Sequence, residues 1–442
     1  MSLLNIFLSY PACICFLCLL IFLASLYFSA SSRKSTSKLP PGPTPLPIIG
    51  NLHLLDIKRQ DKSLLKLAKK YGPVFTLHFG FQKVVVLTGY EAVRDALVNF
   101  TEEFVDRPPI PIFEEIQRGN GVFFSTGELW RTTRRFTMSS MRNLGMGKKL
   151  IEERIIEELS FLVQDIKSFE GKPFNLRTFN IAPTNITFVL LFGERFDYKD
   201  PIFITLLKLI DEVMCLLGSP FLHDTSKKEN IFNDDNLIAS ILDLVMAGTE
   251  TTATTLQWAV LLVMKYPTIQ KKVQEEIGQV VKAGSWATYE DRKNMPYTNA
   301  VIHEVQRFIT LLPHVPRCTS VDTHFRGYFL PKGTMVIPSL TSVLLDQNHW
   351  ETPHDFNPNH FLDANGKFIK KEAFMPYSSG RRNCIGESLA KMELFVFFTG
   401  LLQTFTFQPP PGLTEMDLDL NVPKTTFTLR PQPQPTCAIP RE

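Results

Sequence analysis

The segment YSSGRRNCIG, Tyr377 to Gly386, brings together groups that could do chemistry. Cys384 is one of only seven cysteines in 442 residues. The guanidinium groups of Arg381 and Arg382 favour a thiolate over a thiol, and the two glycines let a ligand approach the backbone closely. A helix predicted to begin after the loop would direct its free N–H groups toward the sulfur. These features favour a functional thiolate over a buried core cysteine, which is the commonest alternative.

A thiolate in such a loop is either a nucleophile or a metal ligand. A nucleophile requires a histidine as its base, and none lies nearby in the sequence, although a distant one could fold against it. Three of the seven cysteines lie in the N-terminal apolar run. The other four, Cys384 included, are scattered with neither CxxC spacing nor an even ladder, which argues against a zinc site or a disulfide framework. A single thiolate suits a metal whose remaining ligands come from a macrocycle, namely heme iron.

A second group of functional side chains lies in the middle of a long predicted helix. The helix is capped by Asp234 or Asp235 and ends at Pro267, so at about 1.5 Å per residue it would span about 45 Å. At its centre, the glycine and threonines of AGTETT weaken and can bend a helix. Glu250 and Thr251 in this stretch predict a groove where a carboxyl and a hydroxyl pass protons to a small ligand. A solvated polar patch is the alternative.

Two further pairs are weaker signals when each is taken alone. Glu304 and Arg307, at i and i+3, share one face of a helix, but most such pairs are surface ion pairs. Trp130 and Arg134, one turn apart in ELWRTTRRF, present an indole N–H and a guanidinium that suit a carboxylate or propionate. An ordinary basic amphipathic helix would show the same spacing.

The segments that must position these groups are predicted to form a mainly α fold with a small, split β region. Residues 73–89 alternate and are β-branched, which predicts a hairpin, and a second β signal spans residues 324–344. No GxGxxG follows a strand, so this chain is not expected to bind a nicotinamide or flavin itself. A net charge of +3 is too small to indicate nucleic acid binding. The proline-rich tail, residues 430–442, is expected to be loosely ordered.

The N-terminus predicts a membrane anchor. Residues 1–30 include an uncharged apolar run long enough to cross a bilayer, and it is too long, with no preceding basic residue, for a cleavable signal peptide. Residues 31–51 are basic and then proline-rich, which predicts a semi-rigid hinge. The basic residues after the apolar run place that end in the cytosol. Residues 52–442 are therefore expected to form a cytosolic catalytic domain.

Together the four motifs resemble the cytochrome P450 superfamily, the heme-thiolate monooxygenases. The family's heme loop, Phe-x-x-Gly-x-Arg-x-Cys-x-Gly, is matched at Gly380, Arg382, Cys384 and Gly386, with Tyr377 in the phenylalanine position. AGTETT resembles the oxygen-binding helix, which implies that Glu250 and Thr251 are its acid and alcohol. The pairs Glu304/Arg307 and Trp130/Arg134 resemble the Glu-x-x-Arg helix and the Trp-x-x-x-Arg helix that holds a heme propionate. The resemblance covers nearly the whole chain and is greatest to vertebrate microsomal family-two members.

The resemblance implies heme b as the cofactor, with the Cys384 thiolate as the axial ligand of the iron. It implies that the propionates are bound by five residues: Arg107, Trp130, Arg134, Arg317 and Arg382. The implied reaction inserts one atom of O2 into a lipophilic substrate, such as a fatty acid, steroid or foreign compound. Electrons are expected from NADPH through NADPH–cytochrome reductase, sometimes helped by cytochrome b5. The exposed basic residues Arg131, Arg135 and Arg381 could dock such a partner or form a solvated face, and the expected location is the endoplasmic reticulum membrane.

The chain departs from the family pattern in three places. Tyr377 adds a hydroxyl beside the heme edge, and His360 replaces an arginine that usually completes a triad with Glu304 and Arg307. The third departure is between a helix capped by Asp200 and the long helix, where relatives carry several dozen more residues that roof the substrate pocket. Two alternatives follow: a heme-binding truncation product with impaired turnover, or a peroxide-rearranging enzyme that needs no reductase. The Glu250–Thr251 pair argues against the second.

Overall fold

The computed structural model describes residues 14–22, 25, 39–56, 58–217, 233–422 and 427–441. Most of the predicted anchor and the first part of the predicted hinge therefore lie outside the described residues. Within the described ranges, no helix is both long enough and apolar enough to cross a membrane.

Helices form most of the described structure. In chain order they are α1 (Gln60–Tyr71), α2 (Tyr90–Arg94), α3 (Pro111–Gln117), α4 (Gly127–Asn143), α5 (Lys149–Lys167), α6 (Ile181–Phe192), α7 (Pro201–Leu217), α8 (Asp234–Lys265), α9 (Pro267–Val280), α10 (Pro296–Ile309), α11 (Leu340–Leu344) and α12 (Glu387–Thr404).

The strands form three small sheets from segments that are far apart in the sequence. They are β1 (Val74–Phe79), β2 (Gln82–Leu87), β3 (Phe174–Asn175), β4 (Arg317–Cys318), β5 (Thr323–Phe325), β6 (Tyr328–Leu330), β7 (Met335–Pro338), β8 (Phe405–Gln408) and β9 (Pro435–Pro440). The sheet orders are β1-β2-β7-β4, β3-β9-β8 and β5-β6. In the first sheet β1 and β2 are antiparallel, whereas β2 and β7 are parallel. The predicted mainly α fold with a split β region is confirmed.

Helix α8 lies at the centre of the largest hydrophobic core, which also includes residues of α5, α6, α9, α10 and α12. Gly248 sits where α8 and α6 approach closely, because a Cβ added there would lie 2.3 Å from the Thr187 hydroxyl oxygen. The middle of α8 is therefore fixed against α6 on one side and is free to line a cavity on another.

Local details of the sequence prediction were partly right. Asp200 caps α7 by accepting a hydrogen bond from the Ile202 backbone at 2.7 Å, as expected. The cap of α8 is Asn233 and not Asp234 or Asp235, since the Asn233 side chain accepts from the Asn236 backbone. The expectation of a loosely ordered tail was wrong: β9 pairs with both β3 and β8.

Candidate active site

Cys384 lies between a short 3-10 turn, Gly380–Arg382, and the first residues of α12. Its backbone N–H donates to the Tyr377 carbonyl at 3.0 Å, which closes the loop. Its side chain is accessible from a cavity between α8 and α12. Burial raises the pKa of the Cys384 thiol, whereas hydrogen bonds from the backbone N–H groups of Gly386 and Glu387 and the charge of Arg134 act in the opposite direction. These donors favour the thiolate once a cation such as iron compensates for burial.

The two glycines of this loop have different roles. Gly380 has φ +75°, and a Cβ there would lie 1.8 Å from the Leu97 carbonyl oxygen, so the loop cannot form with another residue at that position. Gly386 has an ordinary φ of −88°. A Cβ at Gly386 would meet only the Cys384 sulfur, at 3.9 Å. Steric crowding by the chain itself therefore explains Gly380 but not Gly386.

The structure brings the five predicted propionate-binding residues together. The Arg382 guanidinium lies 3.8 Å from the Trp130 ring centroid, and Arg134 lies 5.9 Å from it. Arg107 and Arg382 both donate to the Phe123 carbonyl, at 3.2 and 3.3 Å. Arg317 belongs to the same charged cluster, because its charge lowers the pKa of both Arg107 and Arg382.

This arginine cluster is electrostatically unfavourable in the protein alone. Burial, followed by repulsion from neighbouring guanidinium groups, lowers the pKa of Arg317 to about 9 and, despite the nearby charge of Asp106, that of Arg382 to about 8. Within the described part of the chain, none of the cluster's arginines forms an ion pair with a carboxylate, and the buried Trp130 Nε1 and one terminal nitrogen of Arg317 have no hydrogen-bond partner. Two propionates would supply the missing negative charge and acceptors, so these residues fit a heme.

A short loop, residues 121–125, connects the arginine cluster to α8. The buried carboxylate of Asp243 accepts hydrogen bonds from the Val122 and Phe123 backbone N–H groups at 2.8 and 2.9 Å. On the other side of the loop, the Phe123 and Ser125 carbonyls accept from Arg382. Burial raises the pKa of Asp243 to about 6, although the hydrogen bonds that it accepts act against this shift. The backbone of this loop is thus held from both sides.

The two predicted relay residues on α8 have different environments. Thr251 lines the cavity, and its hydroxyl donates to the Ala247 carbonyl at 2.8 Å. Glu250 is buried, with only 3% of its side chain exposed, and forms an ion pair with Arg430. The solvated polar patch that the sequence left open is therefore wrong for Glu250.

A buried acid that the sequence analysis did not single out also borders the cavity. Glu393 of α12 accepts a hydrogen bond from the Thr252 hydroxyl at 3.0 Å. Burial raises the pKa of Glu393 to about 8, and the hydrogen bond from Thr252 only partly offsets this. Glu393 is therefore largely protonated at neutral pH.

Glu304 and Arg307 are fully buried, so they are not a surface ion pair. Arg307 also donates to three carbonyls, those of Leu344, Pro353 and Asp355. His360 accepts from the Thr352 backbone N–H through Nε2, at 3.2 Å, so its Nδ1 is available to donate to Glu304. This cluster ties α10 to the segment that follows α11.

A cavity lies between α8, α12 and α7. Beyond the charged residues its walls are mostly apolar, and they include Phe123, Leu190, Met214, Leu244, Leu311 and Phe427.

Three charged residues at the site were missed by sequence reasoning: Asp243, Glu393 and Arg430. Asp243 was detectable, because Asp243, Ala247 and Glu250 are spaced at i, i+4 and i+7 and so share one face of α8. Nothing in the local sequence distinguishes Glu393, and Arg430 lies in the tail that was expected to be loosely ordered.

A cavity-facing cysteine before a helix, buried arginines without counter-ions and a hydroxyl-bearing helix together fit a heme-thiolate site. The family model for cytochrome P450 matches residues 40–226 and 220–438, so the chain belongs to the cytochrome P450 family. It is therefore a heme-dependent monooxygenase.

The chain is similar to several family-two enzymes. It is 48% identical to cytochrome P450 2W1 of Homo sapiens, over 93% of this chain and 96% of that protein. It is 44% identical to cytochrome P450 2K1 of Oncorhynchus mykiss, over 100% of both chains. It is 42% identical to cytochrome P450 2C39 of Mus musculus, over 96% of this chain and 99% of that protein.

The comparisons indicate that the family pattern is interrupted between α7 and α8, where the roof is expected to be short. The alignment with cytochrome P450 2K1 runs over 506 positions, so about 64 of them fall opposite gaps in this 442-residue chain. The two family matches meet at residues 220–226, which places the interruption between α7 and α8.

Proposed function

We propose that this protein is a membrane-anchored monooxygenase of lipophilic compounds, in which Cys384 would bind the iron of a heme. The unpaired buried arginines beside Cys384 carry this proposal, because burial of several cations without anions is unfavourable unless a bound dianion compensates. In this arrangement Arg107, Trp130, Arg134, Arg317 and Arg382 hold the propionates. Bound heme supplies the activation of O2 and the insertion of one oxygen atom into the substrate.

Thr251 and Glu250 form the proposed proton relay. Thr251 presents its hydroxyl at the cavity surface, where it can hold and pass a proton. Glu250 lies behind it on the same helix, in its ion pair with Arg430. The backbone N–H groups at the start of α12 and the charge of Arg134 stabilise negative charge on the Cys384 sulfur.

The substrate is a lipophilic molecule such as a fatty acid, a steroid or a foreign compound. The apolar walls of the cavity favour such ligands, since few polar groups are available to bind a charged or sugar-like molecule. Phe123 from the loop and Met214 from roof helix α7 are the side chains that we expect to shape the substrate space.

The electron donor is NADPH–cytochrome reductase, with cytochrome b5 as a possible second partner. The outer face of α4 presents exposed Arg131 and Arg135, and Arg381 of the heme loop lies beside them. Glu102 neutralises part of this face through ion pairs with Arg131 and Arg381. The remaining positive charge suits an acidic partner.

The domain layout and location complete the proposal. Residues 1–30 anchor the chain in the endoplasmic reticulum membrane, residues 31–51 form the hinge, and residues 52–442 form the catalytic domain in the cytosol. The uncharged apolar run at the N-terminus and the basic residues after it support this orientation.

A catalytically impaired heme protein is the second candidate, and the short roof favours it. Ile202 on α7 and Ile238 on α8 are exposed by 72% and 56%, so apolar surface lies uncovered on both helices that flank the interruption. An incomplete roof would admit water and weaken substrate enclosure.

The deciding experiment is reconstitution of the full-length protein with heme, reductase and NADPH. The ferrous carbon monoxide difference spectrum is recorded first, and then oxygenated products of a lipophilic panel are measured. A thiolate-type spectrum with NADPH-dependent products supports the monooxygenase. The same spectrum without any product supports the impaired protein. Product from added peroxides in the absence of reductase would indicate a peroxide-rearranging enzyme.

A further inference from the structure

The carboxylate of Glu250 is held by side chains from two parts of the chain. Arg430 donates to both of its oxygens, from Nε at 2.6 Å and from a terminal nitrogen at 2.7 Å. The hydroxyls of Thr428 and Thr254 also donate to it. Four hydrogen bonds therefore hold the Glu250 carboxylate, and its position depends mainly on Arg430, which donates two of them.

The same guanidinium group reaches the roof of the cavity. The other terminal nitrogen of Arg430 donates to Asp211 of α7, which is also paired with Arg177 at 3.2 Å. Burial alone would lower the pKa of Arg430, but hydrogen bonds and charges from Glu250 and Asp211 outweigh burial and raise its pKa above the ordinary range. Arg430 therefore remains charged at every pH at which the protein is folded.

The backbone that carries Arg430 is fixed. The indole of Trp258 on α8 donates to the Leu429 carbonyl at 2.7 Å. The Leu429 N–H donates to the Leu311 carbonyl at 2.9 Å. The segment around Arg430 is thus attached to the centre of the molecule. Helix α7 is attached to this segment through the partly exposed Asp211 carboxylate, through a hydrogen bond from the Phe427 N–H to the Met214 carbonyl at 3.4 Å, and through the hydrophobic cluster that Met214 and Phe427 share. Of these contacts, only the one through Asp211 involves Arg430.

We propose that Arg430 is a positioning residue that orients the Glu250 carboxylate behind Thr251 and, through Asp211, latches roof helix α7 over the cavity. The part that concerns Glu250 rests on the proposed proton relay. The latch through Asp211 does not, because it concerns only the position of α7. Opening of the roof would break the Asp211 arm first, since Asp211 is 29% exposed whereas Glu250 is 3% exposed.

The two arms can be separated by substitution. D211N removes the roof arm and leaves the Glu250 pair. R430Q removes both arms, and R430K keeps the positive charge but cannot donate to both carboxylates in a bidentate geometry. E250Q removes the charge on which the relay depends. All four are made in the full-length, heme-loaded protein, and the carbon monoxide difference spectrum establishes that each retains thiolate-ligated heme.

Two quantities are measured for each variant with one lipophilic substrate that gives a spin-state shift. The first is the dissociation constant from that spectral shift, which reports enclosure under the roof. The second is the fraction of NADPH electrons recovered in product rather than in hydrogen peroxide, which reports proton delivery. A general loss of stability would not move one of these quantities while leaving the other unchanged.

We expect D211N to weaken substrate binding about threefold, in line with a partly exposed ion pair, and to leave the product fraction at the parent level. R430Q should weaken binding to the same extent and also lower the product fraction about fivefold or more. R430K should restore part of the product fraction that R430Q loses. The double variant R430Q/E250Q should have a product fraction no lower than that of E250Q alone, because Arg430 and Glu250 act as a unit.

The proposal is overturned if R430Q changes neither quantity, or if D211N lowers the product fraction as much as R430Q does. If E250Q has the same product fraction as the parent, the relay role of Glu250 is wrong. The latch is then tested only by substrate binding in D211N and R430Q. If R430Q does not take up heme, the comparison of D211N with R430K still tests the separation of the two arms.

Discussion

The buried acid Glu393 should make the stability of this protein depend on pH in a measurable way. Only 2% of its side chain is exposed, and one of its carboxyl oxygens has no hydrogen-bond partner among the described residues. Its pKa is raised from 4.5 to about 8 by burial. Folded Glu393 therefore binds a proton more tightly than unfolded Glu393. This stabilisation is complete below pH 4.5 and is lost as the pH rises through about 8.

The size of the effect follows from the shift. One pKa unit corresponds to about 1.4 kcal/mol, so between about pH 5.5 and pH 8 Glu393 should lower the free energy of unfolding by about 3 kcal/mol. An unfolding entropy of about 2.1 cal/mol/K per residue gives about 0.9 kcal/mol per degree for a 442-residue chain. The expected change in Tm is therefore about 3 °C.

The assay compares the parent with E393Q, whose amide can still accept from Thr252 but cannot titrate. Thermal unfolding of both heme-loaded proteins is followed across this pH range, and the difference in Tm is plotted against pH. We expect the Tm of E393Q, relative to that of the parent, to rise by about 3 °C between about pH 5.5 and pH 8. E153Q on the exposed face of α5 is the matched control, since its carboxylate is 59% exposed. A parent-minus-E393Q difference that stays constant with pH would refute the conclusion that Glu393 is protonated at neutral pH.

Three further substitutions test the heme site. Cys384→Ser should abolish the carbon monoxide spectral band that marks thiolate ligation; a retained band would mean that another residue ligates the iron. Thr251→Ala should divert at least half of the electrons from product to hydrogen peroxide, because the cavity loses the hydroxyl that passes protons; unchanged coupling, measured as product per NADPH, would assign this task to another group. Gly380→Ala should prevent stable heme incorporation, since its methyl group would lie 1.8 Å from the Leu97 carbonyl oxygen; normal heme content by absorbance, with Gly386→Ala as the comparison, would contradict this.

The parts of the fold that the sequence predicted well are those with local causes. The hairpin of β1 and β2 is encoded by alternating β-branched residues, and α8 by helical periodicity over 32 residues. The heme loop was recognisable because glycines, arginines and a cysteine occur at fixed spacings. The N-cap of α8 was placed one or two residues too late, because Asn and Asp are almost equally good caps and local preference cannot choose between them.

The parts that the sequence did not predict depend on distant contacts. Arg430 and Glu250 are 180 positions apart, and no residue near Arg430 in the sequence indicates a buried ion pair. The prolines around it suggested disorder. However, Pro435 stands at the first position of β9, where the missing N–H is tolerated. The burial of Glu304 and Arg307 likewise depends on tertiary packing, since the same i, i+3 pair is usually found at the surface.

The loop at residues 121–125 uses its backbone and the side chain of Val122 for two different tasks. Its hydrogen bonds with Asp243, Arg107 and Arg382 all use backbone N–H and carbonyl groups. The side chains of Val122 and Phe123 line the substrate cavity, and the Phe123 ring also lies 4.9 Å from the Arg107 guanidinium. Mutation of Val122 can therefore alter which molecules fit without disturbing the residues that fit the propionates. In evolutionary terms, substrate range can diverge rapidly at this loop while the heme site is inherited unchanged.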